Sequence, residues 1–166
     1  VKVLGIDPGT AACGYGVVEA DGSRLRALEN GWWKTSACEA TELRLKAIHD
    51  AVAELIAAHD PDAVSLEESF VGADARIALS VGQARGAVLV ACAGAGRPCA
   101  EYSPTAVKLS VCGYGRAEKA QVQRMVAKIL RLDAPPASSH AADALAVAIC
   151  HALASPLRAA VAGAAR

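Results

Sequence analysis

Asp7, the pair Glu67-Glu68, and His140 with Asp143 are residues whose type and placing could hold a divalent cation. Asp7 closes an apolar, β-rich run over 1–7 that stops at Pro8-Gly9. A carboxylate at the C-terminal end of a strand points into the crevice where α/β folds bind ligands. An aspartate there also caps turns. Glu67 and Glu68 follow the apolar residues Ala63, Val64 and Leu66. Neighbouring strand residues face opposite ways, so only one of the two shares a crevice with Asp7, and spacing does not say which. His140 and Asp143 stand three apart at the start of a helix, on one face. That helix must bury Leu145, Val147 and Ile149, which leaves Asp143 at the rim of the buried face. An unpaired carboxylate is costly there, and a cation removes the cost; the bland alternative is an acid complementing the helix dipole. Taken jointly, carboxylates and an imidazole at the ends of separate elements form an oxygen-rich cluster that selects Mg²⁺ or Mn²⁺. Two such ions about 4 Å apart catalyse in-line phosphoryl displacement.

The patterning predicts the elements that must bring these groups together. Strands are expected at 1–7, 14–20 and 24–34, with Asp21-Gly22 as a hairpin turn. An amphipathic helix follows at 41–59, then a short buried strand at 62–67. A long helix at 74–93 contains Gly82 and Gly86, which cost helix stability and so point to a close helix–helix or chain–chain approach. A strand at 99–102, a short helix at 105–111 and a basic helix at 117–130 come next. Ser139 is the expected cap of a final helix at 140–152, and an alanine-rich tail occupies 153–166. The order β-β-β-α-β-α-β-α-α-α is that of an α/β domain over residues 1–152. Its first three strands are antiparallel and its later ones parallel by crossover.

The chain has 166 residues, enough for one domain with a core of its own, and 54% of them are hydrophobic. Net charge is +0, but it is unevenly spread. Residues 1–75 carry six Lys/Arg against thirteen Asp/Glu, net −7; residues 76–131 carry nine against two, net +7. An acidic metal centre beside a basic track for a polyanion fits that split. The six cysteines show no metal-ligand or C-x-x-C spacing and read as reduced thiols of a cytoplasmic protein. No uninterrupted apolar run approaches a membrane span and no signal peptide is visible, so no membrane is expected.

Gly5-Ile6-Asp7-Pro8-Gly9-Thr10 and Gly14-Tyr15-Gly16-Val17 resemble the opening of the RuvC-type crossover-junction endodeoxyribonucleases. The resemblance continues, in order, through Leu66-Glu67-Glu68-Ser69-Phe70, Gly82-Gln83-Ala84-Arg85-Gly86, Ala117-Glu118-Lys119-Ala120-Gln121-Val122-Gln123 and His140-Ala141-Ala142-Asp143-Ala144-Leu145-Ala146. It implies an RNase H-like fold, with a five-stranded mixed sheet flanked by helices, and a homodimer. The implied activity is resolution of four-way (Holliday) DNA junctions by paired symmetric nicks in recombination and repair. Two Mg²⁺ ions per subunit, or Mn²⁺, are expected, and a RuvAB-type branch-migration complex as partner. The family pattern puts the catalytic metal ligands on Asp7, Glu67, His140 and Asp143, and so assigns Glu67 over Glu68. Phe70 matches an aromatic that wedges into the junction, and Lys108 and Lys119 match basic positions near the scissile phosphate. Arg76, Arg116 and Arg124 are added as DNA contacts from charge alone. Many relatives carry aspartate where this chain has His140, which lowers the negative charge of the site and favours a softer metal such as Mn²⁺. The rival readings are an RNA-processing nuclease of the same fold, a fragment of an actin-like ATPase or kinase, which would need a second domain, and a non-catalytic junction binder.

Overall fold

Val3 to Ile6 are all buried, which makes β1 (Lys2–Asp7) the middle of the sheet. A strand covered on both faces reads as an unbroken apolar run, and β1 does. The computed structural model describes residues 1–68 and 74–164, with side chains as far as residue 154. β2 (Ala12–Asp21) and β3 (Arg24–Lys34) form an antiparallel meander on one side of β1. After α1 (Thr41–His59), β4 (Ala63–Glu67) returns parallel to β1 on its other side. α2 (Ala75–Gly94) leads to β5 (Cys99–Tyr102), parallel to β4. Three helices close the chain: α3 (Pro104–Cys112), α4 (Lys119–Leu130) and α5 (Ser139–Ala164). The strand order is β3-β2-β1-β4-β5, the five-stranded mixed sheet that the sequence predicts.

The sheet separates two cores. Val3 and Val18 pack with Leu145, Ile149 and Val126 on the side of α3, α4 and α5. Leu4, Ile6, Val17, Val64 and Leu66 pack with Ile48, Val52, Ala84 and Val88 on the side of α1 and α2. Alternation along β1 therefore gives Val3, Gly5 and Asp7 to the α5 face. Ala63, Ser65 and Glu67 of β4 share it, because Val3 pairs with Ala63 and Gly5 with Ser65. The register thus supplies what spacing left open: Glu67, not Glu68, lies beside Asp7.

α5 lies on this face at backbone distance. A Cβ on Gly5 would stand 2.0 Å from the Ala144 carbonyl oxygen, and one on Gly14 would stand 2.1 Å from that of His140. The helix begins under a Ser138 cap, whose Oγ accepts from Ala141 N at 3.0 Å, one residue before the expected Ser139. It also continues to Ala164, well past the expected end at 152. Alanine is the best helix former, but an alanine-rich run shows no apolar–polar contrast for periodicity to detect.

Two further expectations change. Among the described residues nothing lies within 4 Å of a Cβ placed on Gly82 or Gly86, so neither glycine serves a close approach to any of them. α2 is also long and apolar enough, by length and composition, to cross a membrane. Arg76 and Arg85 interrupt it in sequence but fall among apolar residues on the helix. Ala84, Val88, Ala91 and Cys92 form its buried side, while Ile77, Leu79 and Val90 stay more than half exposed.

Candidate active site

Three elements end at one place. Asp7 leaves β1, Glu67 leaves β4, and the first turn of α5 brings His140 and Asp143. His140 Nδ1 lies 2.7 Å from Asp7 Oδ2. From α4, Lys119 Nζ donates to Asp143 Oδ2 at 2.7 Å. Asp7, Glu67 and Asp143 line a cavity of about 220 Å³, with Lys108 from α3 and Lys119 also in its wall. His140 does not line it but lines a second groove of about 500 Å³, bordered by Gly9, Thr10, Ala11 and Ala12 and by Arg76, Ile77 and Ser80 of α2.

The carboxylates strain against one another. Burial raises the proton affinity of Asp7, the hydrogen bond from His140 lowers it, and Asp143 raises it again. Glu67 is pushed up to about 6 by burial first, then by Asp143 and Asp7, with Lys108 and Lys119 opposing. Lys119 is held above the ordinary lysine range by its bond to Asp143. Among the described residues no three His, Cys, Asp or Glu side chains are already drawn together as ligands of one ion. Asp143 is occupied by Lys119 and Asp7 by His140, so the three carboxylates share one cavity, Asp7 and Asp143 each already paired, while His140 reaches it only through Asp7.

A raised acid pKa in the folded state is a stability cost that is absent below the unfolded value of 4.5 and complete above about 6. Metal-free Glu67→Gln should therefore be the more stable protein at about pH 8, by ~1 kcal/mol after allowing for solvent screening, or ~2–4 °C. The advantage should vanish at about pH 4.5, where both proteins carry a neutral side chain. Thermal melts in chelator at the two pH values test it; a variant no more stable at the higher pH would mean that burial and repulsion together cost the Glu67 carboxylate nothing.

The family model of the crossover junction endodeoxyribonuclease RuvC matches residues 3–151. The chain belongs to the RuvC family. The RuvC of Moorella thermoacetica is 49% identical over 156 residues, covering 94% of this chain and 93% of the relative. That of Halorhodospira halophila is 48% identical over 167 residues, covering 99% of each. Among solved structures, Thermus thermophilus RuvC superposes with a TM-score of 0.88 at 42% identity, covering 95% of this chain and 97% of that one. The same RuvC in complex with Holliday junction substrate gives a TM-score of 0.88 at 39% identity, covering 95% and 96%. The fold is the RNase H-like one. RuvC membership over nearly the whole chain does not favour the RNA-processing or actin-like readings.

The residues expected to touch DNA scatter around the RuvC site. Lys108 and Lys119 are in the cavity wall. Arg76 is 96% exposed at the start of α2 and borders the second groove. Arg116 and Arg124 are exposed, before and on α4. Phe70 lies outside the described residues. Two arginines that charge counting did not single out hold the strand ends. Arg85 donates to the Glu67 carbonyl at 3.4 Å and pairs with Glu101, and Arg44 binds the loop after Asp7. Both act on backbone atoms, for which a sequence carries no partner signal.

Proposed function

We propose that this chain is a structure-selective endonuclease that resolves four-way DNA junctions by hydrolysing one phosphodiester in each of two opposed strands. The observation that carries the reading is the meeting of Asp7, Glu67 and Asp143 around a cavity that also holds Lys108 and Lys119, with His140 bonded to Asp7 at its edge. The donor set suits divalent cations: three carboxylates and an imidazole, with burial and mutual repulsion leaving Asp7 and Glu67 short of positive charge. Asp7, Glu67, His140 and Asp143 would hold two Mg²⁺ or Mn²⁺ ions, which when bound activate water and stabilise the leaving oxygen.

The chain's own groups do the rest. Asp7 and Glu67 leave adjacent parallel strands, so their separation is set by the sheet. His140 fixes one Asp7 oxygen by a hydrogen bond, and the Gly14 contact seats the His140 backbone. Lys108 and Lys119 put positive charge where a phosphate must enter, offsetting charge that develops on its oxygens. Addition of water across the P–O3′ bond gives a 5′ phosphate and a 3′ hydroxyl. The exposed apolar side of α2, with Ile77, Leu79, Gly82 and Val90, supports a homodimer through that helix and so two sites for a two-fold junction. A cytoplasmic location and a branch-migration motor of the RuvAB type as partner complete the reading.

The test is a cleavage map. A synthetic four-way junction, a linear duplex and an RNA hairpin are each incubated with the protein and Mg²⁺ or Mn²⁺, with chelator controls. Paired nicks confined to the junction, and lost in chelator, are expected. Cutting of the RNA hairpin alone, or cutting indifferent to chelator, would reject the proposal.

A further inference from the structure

The loop from Pro8 to Ala12 carries the chain from Asp7 to Gly14, and three other elements grip it. The Thr10 carbonyl accepts from Arg44 Nη2 of α1 at 2.9 Å and also from the Thr35 hydroxyl, just past β3. Arg44 Nε donates to that same Thr35 oxygen at 2.9 Å. One guanidinium, one hydroxyl and one carbonyl thereby close a ring. Thr35 N adds a bond to the Ala11 carbonyl at 3.3 Å. On the other side of the loop, the Thr10 and Ser80 hydroxyls are hydrogen-bonded, which ties it to α2.

Arg44 is partly buried, and among the described residues no carboxylate pairs with it. Its donors go instead to neutral oxygens, in bonds about twice as strong as those between neutral groups. Both lone pairs of the Thr10 carbonyl are filled. The gripped loop borders the groove that His140 also lines. It follows Asp7, bonded to the His140 ring at 2.7 Å, and leads into the start of β2, where Gly14 lies against the His140 backbone. Releasing the Thr10 carbonyl would loosen both contacts together.

We propose that Arg44, acting through Thr35, is a positioning residue: by clamping the Thr10 carbonyl it sets the geometry of Asp7 and His140 for cation binding. The inference rests on the reading of Asp7, Glu67, His140 and Asp143 as a cation site. It requires neither DNA contact by Arg44 nor direct contact with the reacting atoms.

Four proteins test it: wild type, Arg44→Gln, Thr35→Val, and Thr35→Ser, which keeps the hydroxyl. The readouts are the rise in Tm on adding Mg²⁺ or Mn²⁺ without DNA, junction affinity in chelator, and kcat against KM for cleavage. Arg44→Gln and Thr35→Val should lose at least about half of the metal-induced rise and fall about 10- to 100-fold in kcat, because small misplacements of reacting groups cost about that much. Their junction affinity should stay within about twofold, and Thr35→Ser should track wild type. If wild type itself shows neither a Tm rise nor cleavage, the cation-site reading fails. If wild type shows both and Arg44→Gln and Thr35→Val match it, the role of Arg44 is overturned while the site stands. Should Arg44→Gln not fold, the Thr35 pair decides: equal losses in Val and Ser would overturn the clamp.

Discussion

Asp7→Asn should bind a four-way junction as wild type does and cut it at least about a thousandfold more slowly. Asparagine keeps the shape of the side chain and can still hydrogen-bond His140 Nδ1, now 2.7 Å from Asp7 Oδ2. It removes the one charge that adjoins both His140 and the other two carboxylates. A cation site that loses an anionic ligand loses both affinity and placement, and metal assistance is worth several kcal/mol in phosphoryl transfer. Junction affinity comes from phosphate contacts with basic residues and is unaffected by one acid in the cavity. Repulsion on Glu67 falls, so the metal-free variant should be no less stable than wild type. A gel shift in chelator and single-turnover cleavage in Mg²⁺ measure the two halves. Near-normal cutting would remove Asp7, and the site with it, from the mechanism.

Gly14→Ala should be the most damaging single methyl in the site. The added carbon would stand 2.1 Å from the His140 carbonyl oxygen and 2.4 Å from its carbonyl carbon. These are backbone atoms at the start of a long helix and cannot rotate away, so α5 must retreat by about an ångström. Overpacking of this kind costs ~1–3 kcal/mol, or several degrees in Tm. The retreat carries His140 and Asp143 away from Asp7 and Glu67, and cleavage should fall about a hundredfold or more even where the protein remains folded. Gly94→Ala, whose Cβ would meet nothing within 4 Å, is the matched control. Equal melting temperatures and equal rates for the two variants would show that the close approach of β2 and α5 is dispensable.

The elements are legible wherever burial imposes a period. The β3 and α1 limits, Arg24–Lys34 and Thr41–His59, coincide with the expected ones, and β5 does too. The end of α5 is not legible, because the alanine-rich stretch from Ala152 onward gives the pattern no contrast. The choice between Glu67 and Glu68 needs either a family resemblance or a strand register, since alternation alone assigns faces only after one residue is anchored. A Cβ on Gly82 or Gly86 would meet nothing among the described residues, so the close approach suggested by the sequence is not one between these. The hold of Arg44 on Thr10 and of Arg85 on Glu67 escapes a reading of the sequence because both acceptors are carbonyl groups, identical in every residue. The pairing of Lys119 with Asp143 follows from three-dimensional placement, although each residue stands out separately in the sequence.

Gly5, Gly14 and Gly16 sit on the face of β1 and β2 that receives α5. A saturation map of this chain would show its harshest stripe there, at positions with no side chain to lose. The stripe would be graded, since a Cβ on Gly16 meets the Leu145 side chain first, at 2.6 Å, whereas those on Gly5 and Gly14 meet main chain at 2.0 and 2.1 Å. Evolutionary drift in this enzyme would then be held as tightly at these glycines, where the sequence looks emptiest, as at the charged residues of the site.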